Sequence, residues 1–143
     1  MNTERVDTDL IIAGGGLAGA TLALALARLV PELKVTVVEA FPLSPEALPE
    51  DYQPSYDSRS TALAWGSRLI FEQLGLWRQL SEHAIPIRHI HVSDRARFGA
   101  PGLHANENGK DALGSLAANR GMGLCLIRAW LDTRVTWRAP AQG

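Results

Sequence analysis

Close to the start of this 143-residue chain, a short apolar run breaks into three consecutive glycines: Leu10-Ile11-Ile12-Ala13-Gly14-Gly15-Gly16-Leu17-Ala18-Gly19. Gly14, Gly16 and Gly19 form the spacing G-x-G-x-x-G, which means little without its surroundings. Here a four-residue apolar run precedes it and a stretch of helix formers, Leu17 to Val30, follows. The reading is strand, tight turn, helix. Each glycine then serves a separate purpose. Gly14 allows the turn out of the strand, Gly16 lets the backbone approach a diphosphate closely, and Gly19 lets helix pack tightly on strand. The unpaired N–H groups of the first helical turn, including those of Leu17 and Ala18 beside Gly15 and Gly16, would hold phosphate oxygens with help from the helix dipole.

Such a motif needs an acid some twenty positions on, to accept a hydrogen bond from a ribose 2′-hydroxyl. Lys34-Val35-Thr36-Val37-Val38-Glu39 is a β-branched run ending in Glu39, twenty residues past Gly19. A carboxylate there accepts a hydroxyl and repels a 2′-phosphate. The spacing predicts a strand at 9–13, an apolar and largely buried helix at 17–30, and a second strand at 34–39 parallel to the first, a right-handed βαβ unit. Leu10 to Ala27 is eighteen residues without a charge, near the length that spans a bilayer. The acidic leader before it and the glycines within it favour a buried strand and helix instead.

The rest of the chain is plainer. Hydrophobic content of 46% and a net charge of −1 describe a globular α/β domain and leave no electrostatic case for nucleic acid. Four prolines between Ala40 and Asp57 mark a long loop. A helix is expected from a cap at Ser58 or Ser60 to Leu74, with Gly75 as its stop and Leu63, Ile70 and Leu74 on its apolar face. A short helix follows at 76–80. Two antiparallel strands are expected within 87–105, with turns at Asp94-Arg95 and Gly99 to Gly102. Residues 112–119 show no clear period. A helix is expected from Arg120 to Leu131, then a returning strand at 135–137. His89 and His91 share one strand face and could form half a metal site, but nothing at matching spacing completes it, so no metal is expected. Cys125 reads as a buried, inert thiol. The four tryptophans read as packing rather than a stacking platform. No nucleophile motif is present, so no catalytic side chain is assigned.

These residues resemble a known family. The segment Leu10 to Ala20, then Glu39, then Asp57-Ser58-Arg59 before an Ala-Leu stretch, then His91-Val92-Ser93-Asp94-Arg95, is similar to the start of the flavin-dependent aromatic-ring hydroxylases, in their ubiquinone-biosynthesis branch. The resemblance implies a Rossmann-like FAD-binding βαβ unit with a parallel sheet, and the beginning of an antiparallel substrate-domain sheet at 87–105. It implies FAD at Gly14, Gly15, Gly16, Leu17, Ala18 and Gly19, with Glu39 on the adenosine ribose, Arg59 toward the flavin and Arg120 at the head of a second cofactor-contacting helix. For the complete enzyme it implies NAD(P)H as electron donor, O₂, and a polyprenylated phenol as the small-molecule substrate, in the cytoplasm with peripheral contact to the inner membrane or to a biosynthetic complex. The family continues with a D-G and then a G-D motif. Neither occurs in these residues, which implies an amino-terminal fragment of an incomplete domain. Two other readings stay open: an NAD-binding Rossmann dehydrogenase domain, and a truncated nucleotide-binding chain without activity.

Overall fold

The computed structural model describes residues 7–42, 56–92, 102–109 and 111–141. The chain divides into two compact units, one of residues 1–59 and 119–143, the other of residues 60–118.

The first unit is the βαβ unit and its extension. Strand β1 (Leu10–Ala13), helix α1 (Leu17–Leu29) and strand β2 (Val35–Val38) follow the expected order. β1 and β2 run parallel, with Leu10 opposite Val35 and Ala13 opposite Val38. Helix α4 (Asn119–Trp130) leads to strand β8 (Thr136–Arg138), which lies parallel to β2 on its other side, giving the order β1-β2-β8. β2 is therefore central, and its Val35, Thr36 and Val37 are all buried. This explains the near-continuous β-branched run: a parallel strand covered on both faces has no polar side. Ile12, Ala23, Val35 and Val37 form one apolar cluster, flanked by Leu26, Leu33, Val135 and Trp137. The rings of Trp130 and Trp137 stack with centroids 3.3 Å apart. Cys125 is buried, as its apolar neighbours imply.

Two expectations for this unit need correction. β1 lies at the edge of the sheet, with Ile11 61% exposed, so it is not a buried strand. Helix α1 buries Ala20, Ala23 and Leu24 but leaves Leu22 and Leu29 exposed, so its apolar character exceeds what the described residues cover.

The second unit departs further from expectation. Residues 60–64 form a strand, β3 (Ser60–Ala64), where a helix was expected; helix α2 (Trp65–Gln73) starts only afterwards and ends before Gly75. Its buried contacts are Phe71 and Leu74, while Ile70 is exposed. Helix α3 (Trp77–Leu80) and strand β4 (Ala84–Ile87) follow. The unpatterned residues become strand β7 (Gly114–Ala118), which lies antiparallel between β3 and β4. Crowding explains its first residue: a Cβ on Gly114 would stand 2.4 Å from the Leu63 carbonyl oxygen. Pairing with two neighbours outweighs the weak β-propensity of Gly-Ser-Leu-Ala-Ala. Arg68 packs over Trp65 and Trp77, in keeping with their role as packing.

Strands β5 (His89–His91) and β6 (Gly102–His104) pair antiparallel. His89 meets His104 directly opposite, their Nδ1 atoms 2.7 Å apart, so its partner lies across the hairpin rather than at His91. Among the described residues no group of three or more His, Cys, Asp or Glu could hold a metal ion. No helix among them is long and apolar enough to cross a membrane. Ser93, Asp94 and Arg95, the turn residues Gly99 to Pro101, and most of the proline-rich loop lie outside the described residues.

Leu24 is fully buried in α1 and tests the packing of the first unit. Leu24→Ala is expected to lower stability by about 2–5 kcal/mol in urea unfolding.

Candidate functional site

The ladder of β1 and β2 continues one step past Ala13, where the Gly14 N–H donates to the Val38 carbonyl at 2.8 Å. The chain then turns sharply. Gly14 has φ +99°, a conformation L side chains rarely adopt, and this fixes glycine at the first motif position. The third motif glycine answers a different demand. A Cβ on Gly19 would stand 2.0 Å from the Gly14 carbonyl oxygen and 3.3 Å from Ile12 Cγ2, so α1 could not lie this close to the end of β1 with any larger residue.

Gly15 is held from both sides. Its N–H donates to Glu39 Oε2 at 2.6 Å, and its carbonyl accepts from the Tyr56 hydroxyl at 2.7 Å. Glu39 is buried and its other oxygen, Oε1, accepts from the Phe41 N–H at 3.0 Å. Glu39 is thus brought to the glycine turn, as the spacing requires. Burial, with a smaller contribution from the Glu39 carboxylate, pushes the Tyr56 hydroxyl well above the usual phenol range.

A cleft of about 400 Å³ opens over the turn, lined by Ala13, Gly14, Gly16, Leu17, Ala18, Gly19, Arg59 and Asn119. The first turn of α1 presents its backbone here; Gly16 is the N-cap, and among the described residues no side chain caps it. The wall opposite is closed where the chain leaves and re-enters this unit: the Asn119 N–H donates to the Arg59 carbonyl at 3.0 Å, and Asn119 Nδ2 to Asp57 Oδ1 at 3.3 Å. Asp57 also accepts from the Arg59 backbone N–H and pairs with its guanidinium. Partial burial opposes ionisation of Asp57, but the backbone N–H and guanidinium of Arg59 and the amide of Asn119 outweigh it and hold the carboxyl below its ordinary value.

Of the residues singled out from sequence, Gly14, Gly16, Leu17, Ala18, Gly19 and Arg59 therefore line one cleft, with Gly15 and Glu39 joined behind it. Arg120 is half-buried in the first turn of α4 and is not among the lining residues; its neighbour Asn119 is. Asn119 and Tyr56 belong to no motif in the sequence, yet Asn119 lines the cleft and Tyr56 holds Gly15. The only sequence sign was their position, each directly beside a residue already noted: Tyr56 before Asp57, Asn119 before Arg120.

The chain has relatives of known kind. It is 37% identical over 135 residues to the ubiquinone hydroxylase UbiL of Rhodospirillum rubrum, a match covering 93% of this chain and 28% of that protein. It is 36% identical over 118 residues to the ubiquinone hydroxylase UbiM of Neisseria meningitidis, covering 78% of this chain and 24% of the relative. The chain thus spans less than a third of the length of these two curated relatives. No protein-family model matches the sequence. Among solved structures, the p-nitrophenol 4-monooxygenase PnpA of Pseudomonas putida superposes with a TM-score of 0.64 at 14% identity, over 93% of this chain and 31% of that one. The flavin-dependent monooxygenase PieE, solved in complex with FAD and substrate, superposes with a TM-score of 0.66 at 19% identity, over 94% of this chain and 24% of that one.

Gly19→Ala is expected to cost at least about 1–3 kcal/mol in thermal or urea unfolding, because backbone rather than a flexible side chain blocks the new methyl. The Asp57 contacts stabilise the charged carboxylate, so their contribution is present above the ordinary aspartate value of 3.8 and is lost as pH falls through the lower value held in the fold. Wild type is expected to lose more stability on acidification from about pH 5 to 2 than Asp57→Asn does, read from melting temperatures across that range.

Proposed function

We propose that this chain, a relative of the ubiquinone hydroxylases with the fold of flavin-dependent monooxygenases, is the FAD-binding portion of an aromatic-ring hydroxylase acting in ubiquinone biosynthesis. The observation that carries the reading is the joining of the glycine turn to Glu39: the acid that would take the adenosine ribose is hydrogen-bonded to the turn that would take the diphosphate.

The residues present fit an FAD diphosphate. The cleft over the turn is walled by backbone at Gly14, Gly16 and Gly19 and, among the described residues, carries no acidic lining residue. The N–H groups at the head of α1 supply donors there, and the positive end of the helix dipole favours an anion. Gly14, Gly15, Gly16, Leu17, Ala18 and Gly19 would cradle the two phosphates. Glu39 has both oxygens engaged by single backbone donors, and a carboxylate accepts more than two hydrogen bonds, so capacity remains for a ribose hydroxyl. Arg59, which lines the cleft, would meet the flavin half of the molecule. Arg120 would act from the first turn of α4. When bound, the flavin supplies the redox and oxygen-transfer chemistry, and the protein's part is to bind, orient and exclude water. This accounts for the lack of an assigned acid–base side chain.

In the complete enzyme the same reading takes NAD(P)H as electron donor and a polyprenylated phenol as substrate. The antiparallel pair β5 and β6 would begin the substrate-domain sheet. A substrate of that kind is lipid-soluble, which favours a cytoplasmic protein with peripheral contact to the membrane.

The purified chain is expected to carry flavin absorbance in the visible, or to acquire it on reconstitution with FAD. A colourless chain that takes up NADH and not FAD would overturn the reading in favour of a dehydrogenase domain. Glu39→Arg is expected to weaken FAD binding by at least about tenfold in a fluorescence titration, since it removes the ribose acceptor and the brace on Gly15 together.

A further inference from the structure

The middle glycine of the turn has both of its backbone groups taken by side chains, and each bond fixes a different peptide plane. The Gly15–Gly16 peptide is trans, so its carbonyl and its N–H point in opposite directions. The Tyr56 hydroxyl holds the Gly15 carbonyl on the protein side at 2.7 Å. The Gly16 N–H, on the far end of the same plane, therefore points away from Tyr56, and Gly16 lines the cleft while Gly15 does not. Glu39 does the complementary thing one plane earlier. It holds the Gly15 N–H, which turns the Gly14 carbonyl the other way, toward the place where Gly19 has no Cβ.

Tyr56 is itself firmly seated. It is 3% exposed, and its ring lies over Gly123 in the second turn of α4. A Cβ on Gly123 would stand 2.5 Å from Tyr56 Cγ and 2.8 Å from both Cδ atoms. A glycine inside a helix costs about 1 kcal/mol relative to alanine, and here that cost opens the seat for the ring. Seat, ring and hydroxyl form one device that ends on the Gly15 carbonyl.

We infer that Tyr56, seated on Gly123, is the positioning residue that aims the Gly16 amide at a bound diphosphate, and so sets how tightly the turn grips a flavin dinucleotide. The inference rests on the FAD reading above for its ligand, but not for its geometry. Tyr56 touches no reacting atom; it acts through the peptide it holds. Without the hydroxyl the Gly15–Gly16 plane is free to rotate, and the amide is no longer set in place before the ligand arrives.

The test uses the full ¹⁵N-labelled chain and two readouts. Tyr56→Phe keeps the ring on Gly123 and removes only the donor. It is expected to move the Gly16 amide resonance in the ligand-free chain and to raise the Kd for FAD about five- to tenfold. Tyr56→Phe with a lower melting temperature but wild-type FAD affinity and an unmoved Gly16 resonance would reduce Tyr56 to a packing residue and overturn the inference. If Tyr56→Phe does not fold, 3-fluorotyrosine incorporated for tyrosine keeps the ring and strengthens the donor. It is expected to shift the Gly16 amide, and an unmoved amide overturns the inference. A wild-type chain that binds no FAD, with a Gly16 amide that still responds to Tyr56→Phe, contradicts the FAD reading while upholding the positioning role.

Discussion

The close approach of α1 to the end of β1 is the constraint on which the rest of the site depends. It exists because Gly19 has no side chain to hold the Gly14 carbonyl off. Once the helix starts that near the strand, its first-turn amides open directly above the sheet's carboxyl end, where open parallel sheets receive ligands. The same closeness leaves Gly15 between β2 and the chain returning at Tyr56, so that Glu39 and Tyr56 reach it from either side. Turn, helix start and acid are therefore one mechanical object rather than three features that share a cleft.

The far wall is built by different means. Residues 57–59 and Asn119 are distant in sequence yet meet within one compact unit, residues 60–118 forming the other. Two hydrogen bonds from Asn119, one to the Arg59 carbonyl and one to Asp57, close that junction. The ion pair of Asp57 with Arg59 is largely exposed, and on its own would contribute little. It ties the side chains of Asp57 and Arg59 together beside the cleft that Arg59 lines with the glycines.

The part of the fold that depends on local pattern was legible. The glycine spacing, the β-branched run to Glu39 and the helix ending near Trp130 all came from neighbours in sequence, and each lies where periodicity puts it. What failed depended on partners far along the chain. Ser60 to Ala64 reads as helix because alanine and leucine favour one, yet it pairs with β7 along its whole length. Gly114 to Ala118 shows no period and few β-branched residues; its strand comes from pairing with β3 and β4, and Gly114 answers to crowding against Leu63. The exposed faces of β1 and α1 are not legible in sequence, since apolar composition shows what a segment can bury, not what covers it. Tyr56 was invisible for a related reason: a buried hydroxyl is meaningful only once its acceptor is known, and Gly15 is 41 residues away.

The central claim is that backbone amides at the head of α1 form a ready diphosphate cradle, braced by Glu39. Adding ADP to the ¹⁵N-labelled chain and following its amide spectrum tests this most directly, since ADP carries the diphosphate and ribose without the flavin. Saturable shifts are predicted at Gly16, Leu17, Ala18 and Gly19, with a matching response at Gly15 behind them. A folded chain whose amides at these positions stay still at millimolar ADP, or whose shifts fall elsewhere, would contradict it.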